Sequence, residues 1–252
     1  MCPELLHIGP VTIHAYGLMM ALGFLAAGAL ASWGFRRRGL PTDTVYRALI
    51  AAVVGGLVGA KLNYVIIEPQ FWPESLLNGR GFVWYGGLIG GTLGVVGVLL
   101  ATRTPLGPAV DAIAPGLAVG YGLGRIGCLL NGCCYGHESN LPWAMTFPVG
   151  SPPTDAFVQP TQLYESLASF AIAAVLVLVL QRRVQRGGAL FAWYMVLAGM
   201  ERFLVEFLRN NEPVWVGLTL QQLVSLVLTM GGVVLLWRLR AAPAGSGAVP
   251  SR

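Results

Sequence analysis

Charge is scarce in this chain. Only 11% of its 252 residues are Asp, Glu, Lys or Arg, against about 25% in a typical soluble domain. That shortage excludes an ordinary water-soluble fold. Lysine is nearly absent, and Lys61 is the single example beside fifteen arginines. The net charge of +5 raises the question of nucleic acid. The arginines gather at the ends of apolar segments rather than on one face, so no nucleic-acid partner is expected. The chain has three His and four Cys. There is no Walker loop or haem motif, so kinase and redox readings find no support. There is no Gly/Ser linker or long charge run either, so residues 1–240 read as one domain. The tail 241–252 is rich in Ala, Gly, Pro and Ser and is expected to be disordered. No cleavable signal peptide is expected, because the first apolar segment is too long and is followed by three arginines.

What is present is apolar. Seven segments are long enough to cross a bilayer, near 14–35, 45–67, 82–102, 109–130, 161–181, 189–208 and 217–237. A spanning helix needs about 20 residues. The expected fold is therefore all-α, with seven transmembrane helices. Arginine sets the orientation. With the N-terminus outside and the C-terminus in the cytoplasm, Arg36, Arg37, Arg38, Arg47, Arg103, Arg182, Arg183, Arg186, Arg238, Arg240 and Arg252 all fall inside. Arg80 alone lies in an external loop. Two longer connections, near 68–81 and 132–160, read as external arms. Glycines recur every four residues at Gly55/Gly59, Gly86/Gly90/Gly94 and Gly116/Gly120/Gly124. That spacing predicts close helix packing.

Against this background, the charges within apolar segments stand out. Glu165, Glu201, Arg202 and Glu206 each sit in or at the edge of one. A charge at mid-bilayer costs roughly 2.5–3.5 kcal/mol, so a polar site is the default explanation. Arg202, Glu206 and Arg209 fall at i, i+4 and i+7 and share a helix face. Glu201 points about 100° away from it. Arg125 lies three residues before Cys128. Cys128, Cys133 and Cys134 form a C-x4-C-C run, which is not a standard zinc spacing and has no nearby His pair. Structural thiols or a disulfide are the first reading; a catalytic cysteine and a metal ligand are the others. No metal or cofactor is expected. His7 and His14 read as interfacial polar residues.

The order of motifs resembles the prolipoprotein diacylglyceryl transferase family of bacterial inner membranes. The relevant residues are Tyr16-Gly17, Gly86-Gly87-Leu88-Ile89-Gly90, the run from Gly124-Arg125-Ile126-Gly127 through Asn131 to Gly136, Pro160-Thr161-Gln162-Leu163-Tyr164-Glu165, and Arg202-Phe203-Leu204-Val205-Glu206-Phe207-Leu208-Arg209. The resemblance covers about residues 7 to 239. Four positions depart from the family pattern. Tyr85 and Gln159 stand where His is usual, and Cys128 and Cys133 stand where Asn and Glu are usual.

The resemblance implies transfer of a diacylglyceryl group from phosphatidylglycerol to the lipobox cysteine of a prolipoprotein signal peptide. It implies a site on the periplasmic side of the inner membrane and no cofactor. It implies a catalytic set of Arg125, Arg202, Glu206, Tyr85 and Glu165. The substrate-binding set would be Tyr16, Arg125, Asn131, Gly136, Gln162, Tyr164, Arg202 and Arg209. Arginine suits the lipid phosphate because a guanidinium binds it bidentately and stays charged at depth. Glu206, Glu165 and Tyr85 are the candidate proton acceptors, in that order. Two other readings remain beside the transferase. One is a divergent paralogue with another acceptor or with lipid binding alone. The other is a transporter, although no internal repeat is evident.

Overall fold

The computed structural model describes residues 4–8, 11–67, 84–184 and 186–241. Helices dominate: α1 (Ala15–Arg37), α2 (Asp43–Ile67), α3 (Trp84–Ala101), α4 (Leu106–Asn131), α5 (Thr161–Ala174), α6 (Ala189–Glu206) and α7 (Leu220–Ala241). The path of α5 continues through a π-helical turn at Val175–Leu180 to Arg183. Each helix falls on an expected apolar segment. Among the described residues, five stretches are long and apolar enough to cross a membrane: α1, α2, α4, α7 and Thr161–Arg183. In α3 the apolar run, Tyr85–Ala101, is shorter. In α6 the last six residues include Glu201, Arg202 and Glu206.

The all-α expectation needs one amendment. Two antiparallel hairpins are present, β1 (Glu4–Ile8) with β2 (Val11–His14), and β3 (Met145–Phe147) with β4 (Thr154–Val158). Strands of three to five residues are too short to register in a search for apolar spans. The second hairpin lies within 132–160. The other expected arm, near 68–81, lies outside the described residues, as does the tail beyond Ala241.

The chain forms two compact units, one from Met1–Ala31 and Val110–Arg252, the other from Ser32–Ala109. In the second unit, α2 and α3 pack backbone to backbone. A Cβ at Gly55 or Gly59 would collide with the carbonyls of Gly90 and Gly86, and a Cβ at Gly94 would collide with that of Ala51. The four-residue glycine spacing thus makes this helix pair possible. At the end of α1, Gly39 takes φ +64. Gly39 N then bonds Arg36 O at 3.2 Å, and Leu40 N bonds Phe35 O at 3.0 Å, a Schellman cap.

In the first unit, α1 meets α4 at Gly23 against Gly120 and at Ala27 against Gly116. Ala118, Ile172, Ala173, Leu176 and Leu190 bring α4, α5 and α6 into one apolar core. A second device fixes α6. Asp111, buried on α4, accepts the N–H groups of Gly188 and Phe191, both at 2.8 Å. These are otherwise unpartnered donors of the helix N-terminus, and the carboxylate also meets the positive end of the dipole. Large apolar side chains face outward on these helices, among them Leu25, Ile50, Leu93, Leu178 and Val227, as a lipid surround requires.

Replacing Gly90 by Leu is expected to force α2 and α3 apart and to destabilise the fold by at least about 1–3 kcal/mol. A melting curve in detergent reads this; an unchanged midpoint contradicts the close approach.

Candidate active site

Three arginines surround one carboxylate. Glu165, in the first turns of α5, has no solvent exposure. Arg125 Nε on α4 stands 3.2 Å from Glu165 Oε2. Arg202 Nη1 on α6 stands 3.6 Å from Oε1, and Arg209 Nη1 stands 3.7 Å from Oε2. Tyr121, one turn before Arg125, completes the cage. Its hydroxyl accepts from Arg125 Nη2 at 2.7 Å and donates to Glu165 Oε1 at 3.0 Å.

Glu206 is the second anchor. Its Oε2 meets Arg202 Nη1 at 2.7 Å and Arg209 Nε at 3.5 Å, which matches the shared face read from the spacing. Its Oε1 accepts from Asn211 Nδ2 at 2.7 Å and Thr219 Oγ1 at 2.8 Å. Each oxygen of both carboxylates is thus engaged. Arg202 Nη1 and Arg209 Nε lie in ion pairs without an aligned hydrogen bond, so donor capacity remains. The arginine side chains keep 15%, 18% and 11% of their surface exposed, in the order Arg125, Arg202, Arg209. Glu201, turned off this face, joins none of these pairs, and its Oε1 is buried without a partner.

The segment after α4 folds over this cluster. Gly132 takes φ +65. Its N–H bonds Leu129 O at 3.2 Å while Cys133 N bonds Cys128 O at 3.1 Å, a second Schellman cap. Gln162, fully buried, donates to Cys133 O at 2.7 Å. Thr161 Oγ1 and Arg209 Nη1 both donate to Cys134 O, at 2.8 and 2.9 Å. Gly136 pairs with Arg209 as a β-bridge, and a Cβ there would strike the carbonyl of Leu208. Tyr164 OH accepts from Trp143 Nε1 at 2.6 Å. Tyr16 packs against Gly127 at the same end of α4. Hydrogen bonding from Cys128 and then Cys133, with Arg209 beside it, holds the Cys134 thiol well below its ordinary range.

The geometry meets a clear likeness. The family model described as prolipoprotein diacylglyceryl transferase matches residues 3–238. The chain belongs to that family. It is 35% identical over 233 residues to phosphatidylglycerol–prolipoprotein diacylglyceryl transferase 2 of Clostridium perfringens, covering 88% of this chain and 90% of that protein. It is 35% identical over 240 residues to the corresponding transferase of Clostridium tetani, covering 92% and 96%. It is 34% identical over 268 residues to that of Paenarthrobacter aurescens, covering 97% and 84%.

Of the residues singled out in this diacylglyceryl transferase relative, the first unit gathers all but Tyr85. Arg125, Glu165, Arg202, Glu206 and Arg209 share direct ion pairs. Tyr16, Asn131, Gly136, Gln162 and Tyr164 lie along the end of α4 and the start of α5. Tyr85 begins α3 in the second unit. Tyr121, Asn211 and Thr219 were not anticipated. Tyr121 carried a usable signal, since it stands four residues before Arg125. Asn211 and Thr219 reach Glu206 only through the loop that follows α6, which no spacing rule describes.

Glu165→Gln keeps the shape and removes the charge shared by three guanidiniums. Removing one partner of a buried ion pair costs about 3–5 kcal/mol, so a drop of that order in unfolding stability is expected. An unchanged melting midpoint in detergent contradicts the anchoring role.

Proposed function

We propose that this chain transfers the diacylglyceryl group of phosphatidylglycerol to the lipobox cysteine of a prolipoprotein, forming a thioether and releasing glycerol phosphate. One observation carries the reading. Three guanidiniums converge on two carboxylates, Glu165 and Glu206. One unit of positive charge is left over at a site built between apolar helices. An anionic lipid headgroup matches that excess.

In the reaction, a thiolate attacks the sp³ carbon that bears the phosphate ester. The S–C bond forms and the C–O bond breaks. The electron pair passes to the phosphate oxygen. Arg125 and Arg202 hold that phosphate and meet the charge as it develops. Being already fixed by Glu165, they need little reorganisation at that moment. Glu165 and Glu206 are positioning residues in this scheme, because their oxygens are occupied by the arginines and by Tyr121, Asn211 and Thr219. Arg209 ties the arm after α4 to the cluster through Cys134 O. Gln162 and Gly136 hold the same arm in place. Tyr16, Asn131 and Tyr164 line the approach to the lipid. Nearby guanidinium charge favours the thiolate of the acceptor cysteine.

The protein in this reading is a single transferase domain over residues 1–240. It crosses the bacterial inner membrane seven times, with its N-terminus outside and its site toward the periplasm. Residues 68–81 and 132–160 are its external arms. Both substrates enter sideways from the bilayer.

Transfer from labelled phosphatidylglycerol to a lipobox peptide in liposomes tests this. Wild type should yield the thioether. Arg125→Ala and Arg202→Ala should each lose about 10²–10³ in rate, as for removal of a preorganised charge donor. A wild-type protein that folds but makes no thioether, or an Arg125→Ala protein at full rate, overturns the assignment.

A further inference from the structure

Three thiols converge where α4 ends. The sulfur atoms of Cys128, Cys133 and Cys134 all lie within 4.8 Å of one another, and all three are free thiols. The backbone brings them together. In the cap set by Gly132, the second residue beyond the helix returns over the last turn, so Cys133 comes back against Cys128. Cys134 then takes φ +65, a conformation that costs a non-glycine residue about 1–2 kcal/mol. Its surroundings impose it. The Cys134 carbonyl is fixed by Thr161 and Arg209, and the Cys133 carbonyl by Gln162. All of these anchors are main-chain carbonyls. The one sulfur-to-backbone hydrogen bond in the cluster, Cys133 Sγ to Cys128 O, is a weak 3.7 Å contact. The backbone anchors, with hydrogen bonds among the thiols themselves, thus hold three sulfurs in one place.

We infer that Cys128, Cys133 and Cys134 form a three-thiolate site for a thiophilic cation of the zinc class. Soft thiolates select such ions. With Zn–S near 2.3 Å, sulfurs sharing a tetrahedral ion stand about 3.8 Å apart. The observed cluster, with its sulfurs all within 4.8 Å of one another, stands close to that spacing. Binding releases the remaining thiol protons to solvent. Three thiolates and a divalent ion carry one negative charge. Arg209 donates to Cys134 O, and Arg125 stands one turn before Cys128, so guanidinium groups lie beside the site. The lack of a nearby His pair removes the common Cys2His2 pattern and leaves a three-sulfur set untouched. Three protein ligands keep the fourth position open to water or a further thiolate. The site stands independently of the transferase reading.

The test uses the full chain in detergent, reduced and stripped of metal, with Co²⁺ and then Zn²⁺ as probes. One Co²⁺ per chain should bind with a sulfur-to-metal charge-transfer band, which Zn²⁺ then bleaches. Zn²⁺ should also slow alkylation of the three cysteines in the unaltered protein about tenfold or more; this arm needs no variant and is immune to misfolding. Serine at any of the three positions should abolish the band, and Cys2→Ser should leave it intact. Three thiols alkylated equally fast with and without Zn²⁺ overturn the inference. So does a band lost in Cys2→Ser, or a disulfide joining two of the three in the protein as isolated.

Discussion

A buried carboxylate that answers three guanidiniums is the constraint on which the rest depends. Glu165 reaches Arg125 on α4, Arg202 on α6 and Arg209 in the turn beyond it. Two of these partners lie inside apolar helices, where an unpaired charge is costly. Satisfying them fixes the mutual setting of α4, α5 and α6. The apolar core around Ala118, Ile172 and Leu190 supports the same arrangement from below, and Asp111 secures the far end of α6. Arg209 then carries the order outward, since its link to Cys134 O holds the segment that follows α4.

In the proposed reaction, the same network lets a hydrophobic chain of few charges handle an anionic headgroup. The arginines are organised before any ligand arrives. Their pairs are complete enough to be tolerated at depth and uneven enough to leave a positive remainder. The carboxylates sit behind the guanidiniums and hold them in place. Tyr121 stiffens the arrangement further, because its hydroxyl bridges Arg125 and Glu165 while its ring lies under the guanidinium at 4.8 Å.

Much of this was legible in the residues. Hydropathy found every long helix among the described residues, because an apolar run of helical length has few other uses. Charge within those runs pointed to Glu165, Glu201, Arg202 and Glu206, of which Glu201 stays outside the ion pairs; the i, i+4, i+7 spacing placed Arg202, Glu206 and Arg209 together, and Arg125 came from the motif that carries the resemblance. The glycine repeats foretold close helix packing, and the structure shows it between α2 and α3. Three things escaped. The hairpins were too short to leave a periodic signal. The partners of Glu206 arrive by a loop, and a loop's path is set by tertiary contacts rather than by local pattern. The three cysteines read as one local group, but that all three converge as free thiols rests on Gly132 closing the helix and on a left-handed Cys134, and a residue type with a Cβ gives no warning of such a backbone.

In the proposed reaction, the arginine cluster recognises the lipid phosphate. The most direct measurement is the affinity of the detergent-solubilised protein for short-chain phosphatidylglycerol and for diacylglycerol of the same chains, in wild type and in Arg125→Ala. The account predicts that phosphatidylglycerol binds more tightly, that this advantage shrinks about tenfold or more in the variant, and that diacylglycerol binding does not change. Equal affinity for the two lipids, or an advantage that survives in Arg125→Ala, would contradict it.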